Sequence, residues 1–476
     1  MLDRARIDTP LPAHRDEPEG RTPPSRSRPA PVRAAAIAAA TGLLVFLLVF
    51  ALAHISLRSD REAGKRAIGT AVETGALTLE VKWHLGDVGI GAHQFNDCLI
   101  LYQAIDNRAP AAQLAVTPLS APIGTANMCA ALKALADERA QDTPRFYHNY
   151  VHAHTSLARL MLPVTGVEGL RGFYKLALSL TLLAGLAFAA IALAQGQRPG
   201  ANAVWLLLFA MFTRWFGLES FGQSIGHGPA DLVLLLFLLF LSRSSASKPL
   251  PARTTLIASA VFGALTMAFE LLTGGLPLGL ALTIGCVPLA LARDQRIVAT
   301  TIDCAIAFVV AAVTVAAAKL ALIAAVFGTA PLIETAGQFL FRTGVSHADN
   351  PDGTAGWPEF FSRVWAGIDA MAPGMHWLAT GMLLLAMILG GQGYFRLRTS
   401  ACPATRFRAA AMAASAIVIP LWMVVFWQHT AQHAWFIDRI LVWPMAAGFA
   451  LFLMALLQRG GAGETADQRS GPGTAR

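Results

Sequence analysis

The chain has 476 residues, 55% of them hydrophobic and 14% charged, with a mean hydropathy of +0.52 and a formal net charge of +8. Soluble domains carry about 25% charged residues, so the composition excludes a soluble enzyme, a disordered chain and a nucleic-acid-binding module. The Arg and Lys residues fall in short stretches between long apolar runs, as in a multi-span membrane protein.

Residues 1–33 are rich in Arg, Pro and Ser and have no apolar periodicity, which predicts a disordered basic tail. The first apolar run, 34–55, is of spanning length. Ala51-Leu52-Ala53 resembles a signal-peptidase site, but the long polar segment before the run favours an uncleaved anchor. Nine further candidate spans follow at 172–194, 201–221, 225–241, 254–272, 276–292, 297–327, 376–394, 409–427 and 436–457. The expected fold is an all-α integral membrane protein of about ten transmembrane helices, with a mixed periplasmic loop domain (56–171) after the first span. A nine-span domain occupies 172–457, with a second large outer loop at 328–375 and a short tail at 458–476.

Alternation from a cytoplasmic N-terminus places five short basic stretches inside. They carry Arg198; Arg243, Lys248 and Arg253; Arg293 and Arg296; Arg396, Arg398, Arg406 and Arg408; and Arg459. This predicts both termini in the cytoplasm of a bacterial inner membrane. There is no GxxxxGK[ST], and Gly86, Gly89 and Gly91 do not form a dinucleotide fingerprint. No inner loop is long enough for a nucleotide site.

In the loop 56–171, the densest polar clusters surround Asp87 and Asp97. A carboxylate there, Asp97 before Asp87, is a candidate general base toward an acceptor hydroxyl; the alternative is a turn or cap residue. Cys98 and Cys129 are the two cysteines expected outside, and a disulfide between them is expected in an oxidising compartment. Residues 145–163 read as an amphipathic outer helix whose His148, His152, Thr155 and Arg159 share one face. Such a stripe suits a phosphate-bearing lipid, or an interfacial anchor helix.

Ionisable residues inside spans are costly, so their depth is informative. Glu219, Glu270 and Lys319 fall in the outer third of their spans, and Asp438 and Arg439 open the last one. Residues 217–229 are rich in Gly and polar groups and precede a short fourth span. They read as broken helix at membrane depth, with Glu219, Gln223, His227 and Asp231 lining a wet cavity; the alternative is a tight outer hairpin. His429 and His433, spaced i, i+4, suit phosphate recognition or acid–base work. No HExxH or paired carboxylate accompanies them. No cofactor is required, although a divalent metal is not ruled out by composition. The segment 350–353 reads as a turn.

One long outer loop after the first span, followed by short-looped spans with acidic, His and Arg residues at their outer ends, resembles the GT-C superfamily of membrane glycosyltransferases. The resemblance is architectural and covers most of the chain. It lacks the acidic pair common after the first span. It implies a catalytic carboxylate, Asp97 or Asp87. It also implies a phosphate site from His148, His152, Arg159, His429, His433 and Arg439, with Glu219, Gln223, His227 and Glu270 around the cavity. The implied partners are a polyprenyl-phosphate sugar donor, an envelope glycan or protein acceptor, and membrane lipids. The rival expectations are a transporter or flippase of a lipid-linked or anionic substrate, and a non-catalytic envelope assembly protein.

Overall fold

The computed structural model describes residues 31–80, 84–85, 88–89, 93–122, 125, 127–141, 143–219, 224–270, 272–293, 296–345 and 355–467. Most of the basic tail, Asp87, Gln223 and the turn at 350–353 therefore lie outside the described residues. The fold is 79% helical with almost no strand. Eight helical stretches are long and apolar enough to cross a membrane: Pro31–Ser56, Ala153–Ala194, Gly228–Ser245, Ala252–Phe269, Ile297–Phe327, His376–Leu397, Pro403–Val425 and Trp427–Gln458. The chain is thus an all-α, multi-pass membrane protein. Two of the ten expected spans fall on shorter helices, Pro199–Trp215 and Gly275–Ala290. At 1.5 Å per residue these reach only about 26 and 24 Å, less than a typical hydrocarbon core of about 30 Å.

In chain order, α1 (Pro31–Ser56) is followed by a layer of short elements. These are α2 (Arg61–Glu73), β1 (His84–Leu85), β2 (Val88–Gly89), α3 (His93–Ile105), α4 (Ala111–Val116), β3 (Leu119–Ser120), α5 (Met128–Ala136) and β4 (Arg145–Phe146). β1 pairs antiparallel with β2, and β3 with β4. The long α6 (Ala153–Ala194) bends where Pro163 cannot donate its backbone hydrogen bond and Gly166 turns to φ 69°. Its first part belongs to the cap and its second to the bundle. The bundle continues with α7 (Pro199–Trp215), α8 (Gly228–Ser245), α9 (Ala252–Phe269), α10 (Gly275–Ala290) and α11 (Ile297–Phe327). α12 (Ala330–Arg342) and α13 (Trp357–Gly367) follow, then α14 (His376–Leu397), α15 (Pro403–Val425), α16 (Trp427–Ile437) and α17 (Val442–Asp467).

The cap has its own core, in which Ile68, Leu77, Leu101, Tyr102, Leu132 and Leu162 are essentially buried. Cys98 and Cys129 are bonded within it, tying α3 to α5, as their predicted compartment requires. Lys319 of α11 donates to the Val116 carbonyl and to Thr117 Oγ1 (3.2 Å), fastening α4 to the bundle. Asp60 caps α2, accepting from Ala63 N at 2.9 Å.

In the bundle, small residues let helices approach closely. A Cβ at Gly390 would lie 2.6 Å from the Cα of Gly448, and one at Gly393 would lie 2.6 Å from the Leu451 carbonyl oxygen. α14 and α17 therefore pack backbone to backbone, as membrane helices do where small residues line the contact.

The bundle has two chemically different ends. At the end away from the cap, Arg198 donates to the Ser245 and Leu289 carbonyls. Arg408 reaches Pro288 and Leu291, and Gln458 reaches Ser400. These bonds gather the C-termini of α8, α10 and α17 with the N-termini of α7 and α15. At the cap end, His227 meets Asn96 (3.2 Å), and His429 Nε2 donates to the Leu272 carbonyl (2.8 Å).

Candidate functional site

Asp97 is fully buried on α3. Its Oδ2 accepts from Arg171 Nε at 2.8 Å and lies 2.8 Å from Nη2. Its Oδ1 accepts from the Ser224 hydroxyl (3.0 Å) and the Ile225 amide (2.7 Å). Arg171 also donates to the Ala76 carbonyl. Both oxygens are thus engaged, and the carboxylate ties α3, α6 and the turn before α8 together. This corrects the expectation of an Asp97 open to an acceptor hydroxyl: its partners are 74 and 127 residues away in sequence.

Of the segment 217–229, residues 217–219 and 224–229 are described, and 225–227 form a turn leading into α8, packed on α3. His227 and Asp231 are fully buried and do not line an open cavity. Asp231 pairs with Arg439, and neither side chain is exposed. The Arg439 guanidinium also lies 5.2 Å from the Phe216 ring centre. Arg439 therefore joins the last span to α8 rather than facing a lipid phosphate. Glu270 accepts from Thr273 N (2.5 Å) and Leu276 N (2.9 Å), which stabilises the N-terminus of α10. Glu219 lies 3.6 Å from Arg214, and both are exposed.

The expected helix at 145–163 begins only at Ala153. Arg145 and Phe146 are pulled into the ladder with Leu119 and Ser120, and Tyr147 N donates to the Pro118 carbonyl. His152 turns to φ 66°. His148 and His152 therefore do not share a helical face with Arg159. Arg159 is buried and donates to the Gln103 carbonyl at 3.0 Å, while Thr155 donates to the Gln103 side chain at 2.8 Å.

Three of the expected residues, His152, His429 and His433, come together around one that sequence reasoning passed over. Arg342, at the end of α12, donates to the Tyr150 hydroxyl at 3.0 Å and lies 5.6 Å from that ring's centre. It is close enough to act electrostatically on Tyr147, His429 and His433. The His429 and His433 rings are 4.7 Å apart. Tyr147 lies 5.7 Å from Tyr150 and 5.6 Å from His152. On the far side of this aromatic group, Lys319 and Arg145 act on His148. The one carboxylate paired here among the described residues is Glu334, 3.4 Å from Arg145 and half exposed.

The cluster is cationic and partly open, since Tyr147, His148, Tyr150, Arg342 and His433 are each half-buried. Burial, with the Lys319 and Arg145 charges, holds the His148 imidazole down to about 4. Burial and the same Lys319 hold His152 well below its ordinary value. Both rings are therefore neutral hydrogen-bond donors at neutral pH, beside fixed positive charge. Among the described residues, the buried His148 Nδ1 and His152 Nδ1 have no hydrogen-bond partner.

One turn beyond His433, Asp438 is fully buried against Gly367, and neither carboxylate oxygen accepts a hydrogen bond among the described residues. Among the described residues no group of three or more His, Cys, Asp or Glu is arranged to hold a metal ion.

Arg342 went unnoticed because it sits in the loop 328–375, with no motif around it. The amphipathic stretch 330–342 was the available signal. The fold and site together define a multi-pass helical membrane protein with a capped face and a cationic, aromatic-lined cluster beneath the cap. No protein-family model, no curated protein and no solved structure matches this chain.

Proposed function

We propose that the protein is a membrane glycosyltransferase that takes its sugar from a polyprenyl-phosphate donor and transfers it to an envelope acceptor at the capped, periplasmic face of a bacterial inner membrane. The observation that carries this reading is the convergence of Arg342 with Tyr147, Tyr150, His429 and His433. A guanidinium matches phosphate oxygens in two parallel hydrogen bonds, and the imidazole and phenol groups beside it add hydrogen-bonding partners. The apolar ends of α11 and α12 would accept the prenyl chain.

Displacement at the anomeric carbon needs a base for the acceptor hydroxyl. With Asp97 engaged by Arg171, we assign that role to Asp438, whose buried carboxylate accepts no hydrogen bond among the described residues and must be uncovered when the acceptor binds. The donor arrives activated, so no nucleotide site is required. The transport alternative would need polar groups along a path to the far end, whereas Asp231 and Arg439 neutralise one another within the bundle.

Native mass spectrometry in detergent tests the reading. Wild-type protein should retain polyprenyl phosphate at least tenfold better than Arg342→Gln, and both should retain the phosphate-free polyprenol equally. Equal retention of the phosphate by both proteins would reject it. Asp438→Asn should keep phosphate binding and lose transfer.

A further inference from the structure

At the end of the bundle away from the cap lies a cavity of about 680 Å³, bounded by α7, α10, α15 and α17 and the turn after α8. Three guanidinium groups line it, those of Arg198, Arg293 and Arg408, and no Asp or Glu does so among the described residues. Arg293 acts electrostatically on both other arginines, and Arg198 acts on Arg408.

Arg198 and Arg408 each use part of their donor set on helix-terminal carbonyls. That fixes both groups in place, with Arg198 Nε and Arg408 Nη1 taking no part in those bonds. Arg293 is exposed and is not needed to cap a helix. Three like charges held around one space repel each other unless an anion compensates them. The remaining walls, which include Val204, Met454 and Leu457, are apolar, while Thr405 and Gln458 supply further polar contacts.

We infer that this cavity is a binding site for a phosphate-bearing ligand, with the phosphate among Arg198, Arg293 and Arg408 and any hydrocarbon against Val204, Met454 and Leu457. The shared chemistry admits an anionic phospholipid headgroup or a free phosphate. The site uses no residue of the Arg342 cluster and stands or falls independently of it.

The test compares purified, delipidated wild type with Arg293→Gln and with Arg293→Gln/Arg198→Gln. Adduct retention is read by native mass spectrometry and thermal stability by a melting shift, each with phosphatidylglycerol, phosphatidylcholine or inorganic phosphate. The site predicts retention of phosphatidylglycerol or stabilisation by inorganic phosphate, reduced at least fivefold in Arg293→Gln and unaffected by Arg342→Gln. Phosphatidylglycerol alone identifies a lipid headgroup, and inorganic phosphate alone identifies a free anion. Failure of both ligands to bind, equal binding by wild type and both variants, or equal retention of phosphatidylcholine would overturn the inference. Because Arg293 is exposed, its substitution leaves the helix packing intact, so a loss reads on the ligand rather than on folding.

Discussion

Asp97 and Asp438 are both fully buried, but in opposite surroundings, since among the described residues neither oxygen of Asp438 accepts a hydrogen bond. Asp97 accepts three hydrogen bonds, one of them from Arg171 Nε, and Arg171 Nη2 lies 2.8 Å away, all in a fully buried position. Breaking such a pair leaves a charge stranded in a low-dielectric interior, at a cost of about 3–5 kcal/mol. Asp97→Asn should therefore lower the melting temperature sharply, and Asp97→Leu/Arg171→Leu should recover part of the loss; a variant as stable as wild type would deny the pair its structural role. His148 gives a second prediction. Its folded value lies near 4, below the ordinary value of about 6.5. The unfolded chain binds the proton first as pH falls, so stability is present above about 6.5 and is lost progressively toward pH 4. His148→Asn should flatten the wild-type melting curve between pH 7 and 5. The sequence identified His148, His152, His429 and His433 by residue type and spacing. It did not reveal the partners of Asp97 or Arg439, because these are set by tertiary packing across 74 to 208 residues.

At the scale of elements, apolar periodicity located the bundle helices well, since burial in lipid imposes long apolar runs. It misread 145–152 as helix. There the β3–β4 ladder and the Tyr147–Pro118 bond outweigh a helical pattern of only two turns. The cap was legible in outline but not in its packing. Its Cys98–Cys129 bond spans a separation of 31 residues, for which a chain-entropy treatment gives about 3–4 kcal/mol. Cys98→Ala/Cys129→Ala should lower the stability of the cap by that order, measured as earlier proteolysis of residues in α2–α5 while the bundle stays intact. In the bundle, Gly390→Leu places a side chain where Gly448 stands at 2.6 Å from a mere Cβ. It should separate α14 from α17 and reduce the yield of folded protein; unchanged yield and melting would contradict the close contact.

The whole molecule is polar in the directional sense: Tyr147, Tyr150, His152, His429 and His433 lie at the cap end, and Arg198, Arg293 and Arg408 gather at the other. Cys402 offers a native reporter of orientation, being a half-buried free thiol at the basic end whose hydrogen bonds with Thr405 favour the reactive thiolate. An impermeant maleimide should label Cys402 only after cells are permeabilised; labelling of intact cells would invert the topology. The central claim is that the Arg342 cluster holds the phosphate of a prenyl lipid. A structure of the protein in a nanodisc with polyprenyl phosphate tests it most directly. The phosphate should lie within hydrogen-bonding distance of Arg342 and of His429 or His433, with the prenyl chain leaving along α11 and α12. Phosphate bound elsewhere, with the Arg342 cluster unchanged and unoccupied, would contradict it.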